Sequence, residues 1–385
     1  MHYIHRDIEQ LLKKAFKQFP AVVLTGARQC GKSTLVKKMF PNAIYLSLDK
    51  QSDRILAKED PENFLSGDRF PVIIDEIQEA PELLNYIKSI VDKKKKNGMF
   101  IITGSQQFSL MEGVQESLAG RAAVLDLSTF SFNEMNSKIK NKDWSEIAFN
   151  SSFPEPFVKK KISRELWYSS YIRTFIDRDI SKHLREKNIY LYERFLSFLA
   201  ARFTREINFS SISTELGLDI KTIQTWLSFL IRSQIVFVLS PYFNNLGKRI
   251  TKSPKLYFFD TGLAAYLTGY LDPNQVKKGP LAGAFFENLF ISDIVKQYFS
   301  EGKAKNLYFY KENHGLEIDL IIDMPMKLKL FEIKSILTPS VSHTQNLLKF
   351  QKLQKKDAEM YLITPQKEER KFKEIHFKNF LNIKA

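Results

Sequence analysis

The chain has 385 residues, 44% hydrophobic and 13% aromatic with 32 Phe, which is enough apolar surface for two or three globular units and excludes a disordered chain. The single cysteine, Cys30, excludes an internal disulfide, no Cys/His spacing of the zinc type occurs, and no segment is apolar for long enough to cross a bilayer, so a cytoplasmic protein without a membrane partner is expected. The formal charge of +15, from 58 Lys and Arg against 43 Asp and Glu, suits polyanionic partners and plain solubility equally.

An amphipathic helix is expected over Asp7 to Phe19. Five short apolar runs follow, at Ala21 to Thr25, Ala43 to Leu48, Pro71 to Asp75, Met99 to Thr103 and Ala122 to Leu127, alternating with helical stretches. Their nearly continuous apolar character predicts a parallel sheet covered on both faces, hence an α/β domain. The run Lys93 to Lys96 before Asn97-Gly98 reads as a helix C-terminus offsetting its dipole.

From about Phe130 the pattern turns to long helical stretches, including Ser163 to Lys187 and Tyr190 to Thr204. A short helix over Ser210 to Leu216, a turn at Gly217 and a second helix over Ile220 to Arg232 come next, with Ile223, Trp226, Leu227 and Leu230 on one face. Strands at Ile235 to Leu239 and Lys255 to Phe259 bracket the turn Asn244 to Arg249, the layout of a winged helix. A helix from Gly283 to Phe299 and strands at Leu307 to Tyr310, Glu317 to Ile322 and Lys329 to Ile333 open the last part. No Gly/Ser-rich linker separates these units, so they are expected to pack on each other.

The segment Gly26-Ala27-Arg28-Gln29-Cys30-Gly31-Lys32-Ser33, followed by Thr34, satisfies G-x-x-x-x-G-K-[ST] between a strand and a helix, the context the motif requires. Glycines let the backbone close round phosphates, and consecutive N–H groups with the positive helix end hold their charge. The expected ligand is ATP with Mg2+, Lys32 reaching the β- and γ-phosphates and Ser33 the metal. Val72-Ile73-Ile74-Asp75-Glu76 reads as an apolar strand ending in two carboxylates, Asp75 for the metal and Glu76 to polarise the attacking water. Thr103 or Ser105 is a candidate γ-phosphate sensor, and Arg121 a candidate arginine finger. Cys30 reads as a filler whose alkylation is expected to inhibit, with protection by ATP.

These segments, with Ile74 to Pro81, Thr103-Gly104-Ser105, Ser117 to Arg121, Tyr257 to Ala264 and Glu317-Ile318-Asp319, resemble the bacterial and archaeal ATPases that join an AAA-like P-loop domain to a C-terminal domain of unknown function, the AAA_14 plus DUF4143 arrangement. The resemblance covers nearly the whole chain. It implies an additional-strand ATPase, in which one strand lies between those carrying the two nucleotide motifs.

The C-terminal part is similar to the PD-(D/E)xK nuclease fold. Glu287 falls on a helix, Asp319 on a strand and Glu332-Ile333-Lys334 on the next, so that Asp319, Glu332 and the Ile333 carbonyl would share a magnesium while Lys334 orients a water. The same residues suit a scaffold without activity. In the helix-turn-helix stretch, Lys221, Thr222, Gln224 and Thr225 face away from the apolar side, and Lys248, Arg249, Lys252 and Lys255 lie near the hairpin; this suits DNA contact or an interdomain spacer.

The expected divisions are a P-loop ATPase domain at 1–135, a helical connecting region at 136–205, a winged-helix-like domain at 206–260 and a nuclease-like α/β domain at 261–385. The expected function is a magnesium-dependent ATPase driving its second half on DNA. The alternative is a nucleotide-switched scaffold with a protein partner, and an oligomer is compatible with either.

Overall fold

The computed structural model describes residues 3–65, 69–104, 113–114, 116–159, 161–176, 189–243, 253–303, 306–312 and 315–384. Ser105, Lys248, Arg249 and Lys252 lie outside the described residues.

Five parallel strands form the N-terminal sheet: β1 (Ala21–Gly26), β2 (Ile44–Ser47), β3 (Val72–Asp75), β4 (Phe100–Thr103) and β5 (Ala122–Leu127), in the order β2-β3-β4-β1-β5. The central strands β1, β3 and β4 are buried throughout, as their unbroken apolar runs require. Alternation along β1 divides two cores, with Ala21 and Val23 packing on the helix Leu83–Lys94 and Val22 and Leu24 on the opposite face. The strand β4 lies between β1 and β3, so the additional-strand order implied by the resemblance is present. The helix Leu83–Lys94 ends at Lys95 in the left-handed region, followed by Gly98 at φ 70°, as the lysine run predicts.

The second half begins with the helix Phe132–Ile139, whose N-terminus is closed by a reciprocal capping box of Ser131 and Glu134. Helices Trp144–Phe149, Pro154–Val158, Arg164–Phe175 and Ile189–Ala201 follow. The pair Phe209–Leu216 and Ile220–Arg232 turns at Gly217, φ 68°, with Ile223, Trp226, Leu227 and Leu230 buried.

The hairpin that follows is not a separate unit. Its strands β6 (Val236–Pro241) and β7 (Lys255–Phe258) pair antiparallel, and β6 then pairs in parallel with β8 (Leu307–Lys311) through Ser240 and Pro241. With β9 (Glu317–Asp323), β10 (Lys327–Ile333), β11 (Asp357–Thr364), β12 (Arg370–Phe372) and β13 (Ile375–Asn379) they form one eight-stranded sheet, ordered β12-β13-β11-β10-β9-β8-β6-β7. Hydrogen bonding thus runs across the expected 260/261 division, because β6 outlasts its hairpin partner and offers a free edge to β8.

One continuous core reaches from Val22 and Leu127 through Trp226 to Phe285, Phe331 and Phe380. The 20-residue helix Ala282–Glu301 is its axis, and Asn288 both accepts from Phe258 N–H and donates to its carbonyl. Asp260 caps the helix Thr261–Leu267 by accepting from Leu263 N–H, and also takes the Tyr168 and Ser152 hydroxyls. Gly262 passes so close to this network that a Cβ there would stand 2.3 Å from the Tyr168 oxygen and 2.8 Å from the Asn150 carbonyl oxygen. Gly262→Ala is therefore expected to lose about 1–3 kcal/mol in urea unfolding, whereas Gly283→Ala, in a helix with open space around it, is expected to gain about 0.4–1 kcal/mol.

Candidate functional site

The P-loop joins the C-terminal end of β1 to the helix Lys32–Met39. Gly26 has φ 151° and lies against Leu127, whose carbonyl oxygen would be 2.0 Å from any Cβ, and Gly31 has φ 98°, so both positions require glycine. Gln29 also takes a left-handed conformation, φ 59°, completing the curl of the loop. Lys32 is buried and donates to the carbonyls of Gly26 at 3.0 Å and Ala27 at 2.9 Å, using two of its three N–H bonds.

A cavity of about 610 Å³ opens on the loop, within the range of small-ligand sites. Arg28, Gln29, Gly31, Lys32, Ser33, Thr34 and Glu76 form its polar end. Its other walls come from the N-terminal segment, with Tyr3, Ile4 and Arg6, and from the second half, with Phe130, Pro154, Val158 and Tyr171. The loop residues singled out in the sequence line one end of this cavity, whereas these walls went unseen, since nothing local in 130–171 marks them.

Asp75 ends β3, buried, and accepts hydroxyl protons from Thr103 on β4 and Tyr45 on β2. Burial, then the bond to Asp75, hold the Tyr45 phenol above its ordinary pKa, so it stays a donor. Glu76 sits in the left-handed region at φ 59° and its carboxylate accepts from the Gln78 amide, so the acid that faces the cavity is held at a strained turn.

Arg121 does not join this site. It precedes β5, and its carbonyl accepts from Ala21 N–H at the start of β1, the end of the sheet opposite the P-loop. Its guanidinium forms a bidentate pair with Asp92. Parallel strands fix that separation: a residue before β5 cannot reach the loop after β1 of the same chain. Cys30, whose alkylation is expected to inhibit, is fully buried against Gly26.

Arg6 is the positioning group that the sequence reading missed. Its guanidinium donates to the Cys30 carbonyl of the P-loop at 2.8 Å, to the Ser128 carbonyl after β5 at 2.7 Å and to Glu134 at 2.9 Å, and lies over the Phe130 ring. Both charged side chains are about 5% exposed. Arg6→Ala leaves Glu134 buried and unpaired, so unfolding stability is expected to fall by about 3–5 kcal/mol, with weaker binding of a fluorescent nucleotide analogue.

The second expected site is also brought together. Glu287, Asp319, Glu332 and Lys334 converge where the helix Ala282–Glu301 crosses β9 and β10, but with company: Lys255, Tyr257 and Glu317 enter the same cluster. Lys255, expected near the phosphates of a DNA backbone, is instead 3% exposed and paired with acids. Period-two spacing could have found Glu317, two residues before Asp319 on the same strand face. Burial, then the neighbouring Asp319, push Glu332 up to about 8. Burial also lifts Glu287, to about 7, against the lowering by Lys255. An acid whose pKa is raised in the fold stabilises below its usual value near 4.5 and loses that contribution as pH climbs through the raised value. Relative to wild type, Glu332→Gln is expected to flatten the stability loss between about pH 5 and pH 8 by about 2 kcal/mol in thermal unfolding.

Comparison with known proteins gives three adjacent matches. Residues 18–136 match the AAA domain (AAA_14), 141–274 the domain of unknown function DUF8612 and 282–384 the domain of unknown function DUF4143. The uncharacterized proteins Rv2008c of Mycobacterium tuberculosis and Mb2031c of Mycobacterium bovis are each 29% identical over 340 residues, covering 88% of this chain and 76% of theirs. Among solved structures, the Walker-type ATPase PABY2304 of Pyrococcus abyssi is similar at 16% identity and TM-score 0.45 over 69% of this chain and 96% of that one. The signal-transduction ATPase PH0952 of Pyrococcus horikoshii, with a tetratricopeptide-repeat sensor, reaches 14% and 0.28 over 79% and 46%. No described helix is long and apolar enough to cross a membrane. With its strand order and its P-loop, the N-terminal part of the chain thus matches an AAA domain and the C-terminal part the domain of unknown function DUF4143.

Proposed function

We propose that the chain hydrolyses ATP with Mg2+ and uses the nucleotide state to move its second half against DNA. The observation that carries this reading is the shared cavity: its polar end belongs to the P-loop and its far walls to residues 130–171, so a nucleotide filling it contacts both halves at once.

The groups present fit the reaction. Ser33 and Asp75 offer a hydroxyl and a carboxylate, the hard oxygen donors that magnesium takes, and a bound Mg2+ would neutralise charge on the phosphates. Both Asp75 oxygens already accept from neutral hydroxyls, which leave its negative charge uncompensated. Lys32 and the loop N–H groups orient the phosphates, and Glu76, on the cavity wall, polarises the attacking water once Gln78 gives up its carboxylate.

DNA is the favoured polyanion because the second helix of the helix-turn-helix pair exposes Lys221, Gln224 and Thr225 opposite its buried side, on a chain with net charge +15. The second reading, a nucleotide-switched scaffold with a protein partner, is favoured by the lysine-paired state of the C-terminal acids. ATP turnover measured with and without single- and double-stranded DNA separates the two: stimulation that vanishes in high salt and in Lys221→Ala supports DNA action, and indifference to every DNA form overturns it. Glu76→Gln is expected to retain nucleotide binding and lose about 10²–10⁴-fold in turnover; turnover within threefold of wild type would remove Glu76 from the mechanism.

A further inference from the structure

Outside the nucleotide cavity, a group of ionisable side chains lies where the hairpin joins the C-terminal sheet. Glu287, Glu317, Asp319 and Glu332 meet there, and two lysines enter among them. Lys255, the first residue of β7, donates to Glu317 Oε1 at 2.6 Å and stands 3.6 Å from Glu287 Oε1. Lys334 stands 2.7 Å from Glu332 Oε1 and 3.8 Å from Asp319 Oδ2. Asp319 Oδ2 also accepts from Ile333 N–H at 2.7 Å, and Glu287 Oε1 from the Tyr257 hydroxyl at 2.7 Å.

A divalent ion held by Glu287, Asp319 and Glu332 needs their oxygens to converge on one point at about 2.0–2.6 Å. Here one oxygen of each is engaged otherwise, Glu287 Oε1 by the Tyr257 hydroxyl, Asp319 Oδ2 by Ile333 N–H and Glu332 Oε1 by the Lys334 ammonium. Among the described residues no three His, Cys, Asp or Glu side chains stand close enough to hold an ion together. Glu332 Oε2 is buried without a partner, and one orphaned oxygen is a single donor, not a coordination sphere.

We propose that the Lys255 ammonium is the resident cation of this cluster: paired with Glu317 and Glu287, it supplies the positive charge that a divalent ion shared by Glu287, Asp319 and Glu332 would bring, and the C-terminal half consequently binds no such ion until Lys255 is removed. A buried ammonium persists only where acids compensate it, and Lys255 has 3% of its side chain exposed. A dication set beside Lys255 and Lys334 would crowd three positive centres into a poorly solvated region. Without Lys255, the acids Glu287, Glu317, Asp319 and Glu332 keep a single ammonium, Lys334, and a divalent ion no longer meets a competing cation at Glu287 and Glu317. The inference rests on the C-terminal cluster and not on turnover at the P-loop.

Mn2+ titration of the nucleotide-free full chain, read by electron paramagnetic resonance of the free ion, tests it. Wild type is expected to show no Mn2+ binding that Glu332→Gln or Asp319→Asn abolishes. Lys255→Met is expected to gain one site, at least tenfold tighter than any in wild type, that is lost when Glu332→Gln is added. Either of two results overturns the proposal: a wild-type Mn2+ site that survives Asp75→Ala and disappears with Glu332→Gln, or a Lys255→Met chain with native circular dichroism and no gain. The wild-type arm decides even if Lys255→Met does not fold.

Discussion

A buried guanidinium holds the nucleotide site to the rest of the molecule. Arg6 comes from the segment before the first helix, yet its donors are divided among the P-loop, the chain leaving β5 and the capping glutamate of the first helix in the second half. Removing a charge from water is costly unless every donor is answered, so the three segments can satisfy Arg6 only in one relative placement. The walls of the cavity come from those same segments. Geometry at the phosphate end and at the far end is thus set by one side chain that touches both.

Packing is continuous beyond Arg6. Phe132 N–H is held by Asp293 and the Phe130 carbonyl by Lys296, both on the helix that forms the axis of the second half. That helix bonds through Asn288 to β7 and packs under the eight-stranded sheet. Close-packed interiors move as whole bodies and do not yield locally.

Two acid-ended strands in this chain have opposite electrostatic fates. Asp75 is buried among hydroxyl donors, which solvate the carboxylate but carry no charge, so its negative field stays available to a cation. Asp319 and Glu332 are instead paired with the ammonium of Lys334. Residue types alone would rank the two sites alike, as strands bearing carboxylates near a lysine. Charge compensation separates them: Lys334 answers Asp319 and Glu332, and Lys255, far back in the chain, answers Glu317 and Glu287.

Local pattern was enough for the elements and for the loop chemistry. The central strands β1, β3 and β4 were legible from their apolar runs because burial on both faces leaves no other composition, and the P-loop and Asp75-Glu76 because their backbone demands glycine and a strand end. The helix pair around Gly217 was legible from its 3.6-residue periodicity. Arg121 was misplaced because a motif records neighbours along the chain, not which end of a sheet they occupy. The fusion of β6 with β8, the Arg6 clamp and the position of Lys255 depend on contacts between residues tens to more than a hundred positions apart, which no local periodicity encodes. The sequence by itself thus determined which segments are strands, helices and phosphate loop, since backbone and solvent impose those choices residue by residue. Only the tertiary structure decided which charges meet, because pairing energy depends on distance and burial, and both are properties of the folded chain.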